Sequence, residues 1–201
     1  NSIEQLGQGV QLSRPVNADG AYQVSGNFSA DFPITKMKGG NINSNTTVYY
    51  NRDVSIADQV KNFTGNLVLG EELRLNYQYK EKLEIGIGAG VSYNSARYTQ
   101  SKDRNVYYYT YAASADISYI FPKNYVLSSD LDYTSNAGLA SGFNQKYFLW
   151  NAGFAKQLMK NNRGELKLTV YDILKQNRSV TRSIADNYVE DVQNTVLQRF
   201  F

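Results

Sequence analysis

Asp130 and Asp132 stand two residues apart, which puts both carboxylates on one face of a strand. Paired carboxylates can divide the acid and nucleophile roles of glycoside hydrolysis, or bind Ca²⁺ through their oxygens. No partner loop of suitable spacing accompanies them. The two are therefore expected to line a wet interior beside Asp116. Asp172 follows the run Leu166–Val170 and reads as a strand end, while Glu190-Asp191 reads as part of an exposed loop. Loop carboxylates such as Asp103 and Asp191 are places calcium could visit, and nothing in their spacing builds a site. Gly86-x-Gly88-x-Gly90 has glycines at a spacing of two inside a strand. That is wrong for a phosphate-cradling turn before a helix, so the glycines are expected to leave room on one face or to ease strand curvature.

The residue types that are missing narrow the chemistry further. The chain has no cysteine and no histidine. Disulfides, thiolate nucleophiles, zinc–sulfur sites and the commonest general base go with them. No catalytic, cofactor-binding or metal-binding residue is assigned, no cofactor is expected, and a non-enzymatic role follows. The formal charge of +3 is spread along 201 residues without a dense basic run, so no nucleic-acid partner is expected either. Four sequon matches, at Asn27, Asn45, Asn62 and Asn177, reflect a composition rich in Asn, Ser and Thr. The start, Asn1-Ser2-Ile3, has neither an initiator Met nor an apolar signal segment, which points to a processed chain or a piece of a longer one.

The elements that carry these residues are strands. Leu83, Ile85, Ile87, Ala89, Val91 and Tyr93 alternate with Glu84, Gly86, Gly88, Gly90, Ser92 and Asn94. One face is greasy and the other polar or bare. The run has the length a tilted strand needs to cross a bilayer, roughly 9–11 residues. Similar alternation covers Tyr22–Ile34, Tyr107–Phe121, Tyr125–Thr134 and Glu165–Val170, and weaker alternation Ile42–Tyr50, Leu73–Tyr79 and Phe148–Phe154. That makes eight strands, with a ninth expected before Arg14 and the start of a tenth at Thr195–Phe201. No stretch approaches the about 20 apolar residues of a transmembrane helix.

Short polar turns are expected at Thr35–Gly40, Lys80–Lys82, Pro122–Asn124 and Asn161–Gly164, with longer loops at Asn51–Lys61, Ser101–Asn105, Ser135–Gln145 and Asn177–Asn194. Lysines cluster at the short turns, among them Lys36, Lys38, Lys80, Lys82, Lys123 and Lys160, and read as headgroup contacts. Short turns at one end and long loops at the other suit an outer-membrane barrel. So do 17 tyrosines against one tryptophan, because a tyrosine ring is apolar while its hydroxyl seeks water. A soluble lipocalin-like barrel or β-sandwich would also alternate, but strands there usually run about 5–6 residues. The fold class expected is all-β: about eight to ten antiparallel transmembrane strands, part of a larger barrel. Leu83, Ile85, Ile87, Val91, Leu166, Leu168 and Val170 should then face lipid, and Glu84, Asp116 and Lys167 the lumen.

Several segments carry more than a pattern. They are Arg14-Pro15-Val16-Asn17-Ala18-Asp19-Gly20-Ala21-Tyr22, Gly142-Phe143-Asn144-Gln145 with Leu149-Trp150-Asn151, and Arg163-Gly164-Glu165-Leu166-Lys167-Leu168. Then come Val170-Tyr171-Asp172-Ile173-Leu174 with Gln176-Asn177, Tyr188-Val189-Glu190-Asp191, and Val196-Leu197-Gln198-Arg199-Phe200. Together these resemble the C-terminal barrel region of the outer-membrane β-barrel family related to TonB-dependent receptors. The resemblance spans nearly the whole chain and is most specific from Arg163 to Phe200. It implies that residues 1–201 are the C-terminal portion of a barrel wall in the cell outer membrane of a Gram-negative bacterium. The plug and earlier strands would lie outside this stretch, and the role would be receptor-like transport, taking part in substrate uptake. Its partners would be outer-membrane lipid and the remainder of its own barrel and plug, with room for the TonB system and a surface lipoprotein. The alternative from another class is a small closed outer-membrane barrel with a structural or adhesive role.

Overall fold

The computed structural model describes residues 2–7, 10–57, 60–100, 102–139, 144–159, 163–184 and 189–200. Two strands, β1 (Ser2–Gly7) and β2 (Val10–Arg14), open the chain as a hairpin. Eight more form one antiparallel meander in which each pairs with the next. They are β3 (Tyr22–Pro33), β4 (Gly40–Ala57), β5 (Val60–Tyr79), β6 (Leu83–Tyr98), β7 (Val106–Phe121), β8 (Tyr125–Ala137), β9 (Lys146–Leu158) and β10 (Gly164–Val170). A second hairpin, β11 (Ser179–Ile184) with β12 (Val189–Asn194), stands apart as its own two-stranded sheet. The large sheet is not closed: its order runs from β10 at one end to β4, where β3 and the β1/β2 hairpin meet the same strand.

Register decides which side is greasy. Leu75, Ile87, Ala115, Leu131 and Trp150 lie in one row across β5 to β9. The next row, on the opposite face, is Asn76, Gly86, Asp116, Asp130 and Asn151. Ile87 is 53% exposed while its neighbours Gly86 and Gly88 are buried, so the two faces see different surroundings. The polar face is the concave one, since Thr47, Gly90, Ser114, Asp132 and Thr134 line a hollow of about 690 Å³. Leu83, Ile85, Ile87, Val91, Leu166, Leu168 and Val170 therefore lie on the convex side, as alternation requires, and Glu84, Asp116 and Lys167 on the concave side.

Aromatic rings bound the convex apolar band at both ends. Near the loops, Tyr22 meets Tyr50, Tyr93 meets Tyr109, and Tyr133 meets Phe148, with ring centroids 5.7, 5.2 and 4.7 Å apart. Near the short turns, Tyr77 meets Tyr79, Tyr119 meets Phe121, and Tyr125 meets Phe154. Leu, Ile, Val and Ala predominate between the two rows. Lys156 and Arg52 close the band from either end, each 4.0 Å above a ring, Tyr125 and Phe63 respectively. Two aromatic girdles around an apolar belt match the cross-section of a membrane.

The short turns are tight. Lys80 and Glu81, with φ of 49° and 53°, connect β5 to β6, and the amide of Lys82 donates to the carbonyl of Tyr79 at 3.0 Å. Lys123 and Asn124, at 66° and 61°, do the same between β7 and β8. Both turns have the positive φ pair whose twist matches flanking antiparallel strands. The expected turn residues Asn161 and Asn162 lie outside the described residues.

The long connections differ from expectation. Most of Asn51–Lys61 is not a loop: β4 continues to Ala57 and β5 begins at Val60, with Asp53 opposite Thr64 and Ala57 opposite Val60, while residues 58 and 59 lie outside the described residues. Beyond the upper aromatic row no hydrocarbon demands one apolar face, so alternation fades while the backbone ladder persists. Ser101–Asn105 shrinks to a single 3-10 turn, Lys102–Arg104. The first residues of the expected Ser135–Gln145 loop belong to β8, and Asn177–Asn194 contains the β11/β12 hairpin, with Glu190 and Asp191 in β12 rather than in a loop. The strand expected before Arg14 is present but folded against itself, and among the described residues it pairs with β4 through Ser2 and Ile3. The strand expected at Thr195–Phe201 reduces to one bridge between Phe200 and Tyr171, because the ladder in this stretch belongs to β12 and ends at Asn194.

Candidate functional site

Apart from Glu71, the charged side chains that the described strands hold between the aromatic rows stand on the concave wall. Asp116 and Asp130 are directly opposite across β7 and β8, and Asp132 follows two positions along, opposite Ser114. The three aspartates singled out from spacing thus share one patch of wall. Asn151 donates to Asp130 at 2.5 Å, and Arg74 is ion-paired with Asp116. Among the described residues no group of three or more potential metal-ligating side chains is clustered.

Arg74 was not legible as a partner of Asp116, because it comes from β5, two strands away. It reaches by lying across β6. A Cβ added at Gly86 would overlap both the Arg74 guanidinium and the Asp116 carboxylate, and one at Gly88 would come 2.7 Å from Ser114 Oγ. The guanidinium also donates from Nε to Asn76 at 2.9 Å and from Nη1 to Ser114 at 3.3 Å. Bare glycines on β6 thus form the trough in which the arginine lies, which gives the spacing-of-two pattern its physical reason. The signal was present in the sequence as an arginine on the lumen face next to a strand without lumen-side bulk.

The pair is half-exposed, so its net worth is about 1 kcal/mol or less after solvent screening. Its coupling to Gly86 is the sharper quantity. Gly86→Ala and Arg74→Gln should each lower stability modestly. The double variant should be no worse than the more damaging single one, since both break the same contact. Additive losses in urea-unfolding midpoints would show the trough to be incidental.

Charge on this wall is one-sided. Glu72, Glu84, Asp116, Asp130 and Asp132 face the concavity against Arg74 and Lys167, although the whole chain has a formal charge of +3. Around the hollow the wall also carries Asn45, Thr47, Gly90, Ser92 and Thr110, with Val68, Ala112 and Leu149 among them.

Past the loop-side end of β10, Asp172 is buried at 3% exposure. Its carboxylate accepts the amides of Gln176 and Asn177 at 2.8 and 3.1 Å, and its own amide donates to Asn151 Oδ1 at 2.9 Å. The Gln176 side chain in turn accepts the amide of Phe148 at 3.0 Å. This is more than the strand end expected from position. It is a bend that fastens the chain beyond β10 to β9. Asp103 lies in the 3-10 turn and no liganding partner accompanies it among the described residues.

Residues 51–201 match the model of a family described as outer membrane protein beta-barrel family. Comparison with curated proteins and with solved structures gave no match.

Proposed function

Because the chain belongs to the outer membrane protein beta-barrel family and resides in the cell outer membrane, we propose that its strands form part of the wall of a TonB-dependent-receptor-like barrel that takes part in substrate uptake. The observation that carries this reading is the concave face. Strands β4 to β8 turn mostly small or polar residues, among them Asn45, Thr47, Gly88, Gly90, Ser114 and Asp132, inward around an open hollow of about 690 Å³, with Val68 and Ala112 between them. A narrow barrel needs bulky inward side chains to fill it, whereas small polar ones suit a wide lumen that is watery or plugged. The convex belt keeps the sheet in hydrocarbon, where a strand survives only if its backbone groups are paired. Residues 1–201 are accordingly read as a portion of the wall, with further strands completing the cylinder around β3 and β10. The role is not enzymatic. Energy coupling belongs to a plug and the TonB system, lipid surrounds the belt, and a surface lipoprotein can cap the loop end.

Uptake tests the reading. Cells making the whole protein should accumulate at least one nutrient that cells lacking it do not, and a proton uncoupler should abolish the difference. Equal uptake in all conditions would refute a transport role.

One observation favours the small closed barrel instead: the meander contains eight strands, the smallest number found in membrane barrels. The chain has no native cysteine, which makes the distinction direct. In a small barrel β3 and β10 are neighbours, so Asn27→Cys should form an intrachain disulfide with one of Glu165→Cys, Lys167→Cys or Thr169→Cys. In a wide barrel none of the three combinations should close.

A further inference from the structure

The convex belt has one interruption. Between the aromatic rows, Glu71 is the one charged side chain that the described strands turn toward lipid. It lies in register with Thr46 on β4 and Val91 on β6, with Leu69 and Leu73 on either side along β5. Ser44 donates to Glu71 Oε1 at 2.8 Å and Thr46 to Oε2 at 2.5 Å. Phe28, paired with Thr46, and Val48 complete an apolar surround.

Hydrogen-bond accounting identifies what this cluster lacks. A hydroxyl has one proton to donate, and both hydroxyls spend theirs on the carboxylate. What remains facing hydrocarbon is acceptors only: the other lone pairs of Glu71 and those of Ser44 and Thr46. Ionisable residues at membrane depth are costly and characteristically find a partner. At the ends of this belt Arg52 lies over Phe63 on the loop side and Lys156 over Tyr125 on the turn side, and the described strands place no base next to Glu71. A second copy of the chain would bring the same acceptor-only cluster and no base at that depth.

We propose that Glu71, held by Ser44 and Thr46, is a lateral docking site for a lysine or arginine on the lipid-facing side of a strand of another outer-membrane protein. The carboxylate is the anchor, and Phe28, Val48, Leu69, Leu73 and Val91 form the dry seal around it. Charge complementarity selects the partner, because a cation with several N–H groups supplies what the cluster is missing.

Residues 1–201 hold no cysteine, so once any cysteine elsewhere in the whole protein is replaced by serine a single attachment point remains. Leu69→Cys carrying a benzophenone maleimide is irradiated in intact outer membranes of cells making the whole protein, with Leu168→Cys on β10 as the distant control. The expected result is a covalent adduct at position 69, and not at 168, with a second polypeptide whose crosslinked strand holds a Lys or Arg. Adding Glu71→Leu should lower adduct yield roughly thirtyfold or more. Its heat-modifiable band should stay at the wild-type level, because leucine suits lipid. Glu71→Lys should abolish the adduct, and changing the partner's base to Glu should restore it. An adduct with lipid alone, with a second copy, or with a strand lacking a base would overturn the proposal. So would an adduct indifferent to Glu71→Leu, equal labelling at 168, or failure of the charge exchange.

Discussion

Ile87→Arg should remove nearly all folded protein from the outer membrane, while Gly70→Ser should leave its amount close to wild type. Ile87 lies in the middle of the convex belt, in register with Leu75 and Ala115, and is 53% exposed to what surrounds the sheet. Placing an arginine at the bilayer midplane of a barrel costs about 2–4 kcal/mol. That is a large share of the stability of an ordinary domain. Gly70 faces the concavity, where a Cβ would meet only Thr47 Cβ at 3.8 Å and a serine hydroxyl would meet water. Heat-modifiable mobility of the protein extracted from purified outer membranes measures both. Equal recovery of the two variants would reverse the assignment of lipid and lumen faces.

Asp172→Ala should be the most damaging substitution outside the belt. Two backbone amides, those of Gln176 and Asn177, lose their acceptor at a site that is 3% exposed. Hydrogen bonds to a charged group contribute about 1.5–3 kcal/mol each, so a loss of about 3 kcal/mol or more is expected. Asp172→Asn should fall between, because the amide keeps one acceptor oxygen and asparagine tolerates the positive φ of 48° found here. Denaturant midpoints rank the three proteins. The Ala variant should also be cut by protease between Tyr171 and Asn177, where wild type resists. Unchanged midpoint and cleavage would mean that the bend is held by Arg199, whose guanidinium donates to the carbonyl of Ile173.

The belt was legible in sequence because hydrocarbon imposes a single rule on every second residue, and Leu83–Tyr93 obeys it without exception. Where the rule lapses, the pattern along the chain misleads in two ways. At Asn51–Lys61 the strands leave the membrane, apolar positions such as Val54 and Ile56 are few among polar residues, and a paired ladder looks like a loop. At Glu71-Glu72 the two faces both receive a carboxylate, so alternation is visible only from Leu73 onward and does not mark the convex glutamate. Arg74 and Asp116 were each visible on the lumen face, but their pairing depends on the register of β5, β6 and β7 together. The bend at Asp172 depends on Asn151 from another strand. Alternation is local and can be read along the chain; contacts between elements cannot.

The continuation of β4 and β5 past the aromatic row has a consequence for how anything arriving from outside meets this protein. Seven residues of β4 beyond Tyr50 still pair with β5, a projection of ~23 Å along the strand at ~3.3 Å per residue. Asn62, near its tip, is buried and accepts from Thr99 Oγ1 at 3.2 Å and the amide of Gln100 at 3.1 Å. The segment therefore meets a visitor as a stiff beam whose conformational entropy was surrendered during folding. A molecule landing on it has no chain to order, and the unfavourable entropy of association is smaller by that amount.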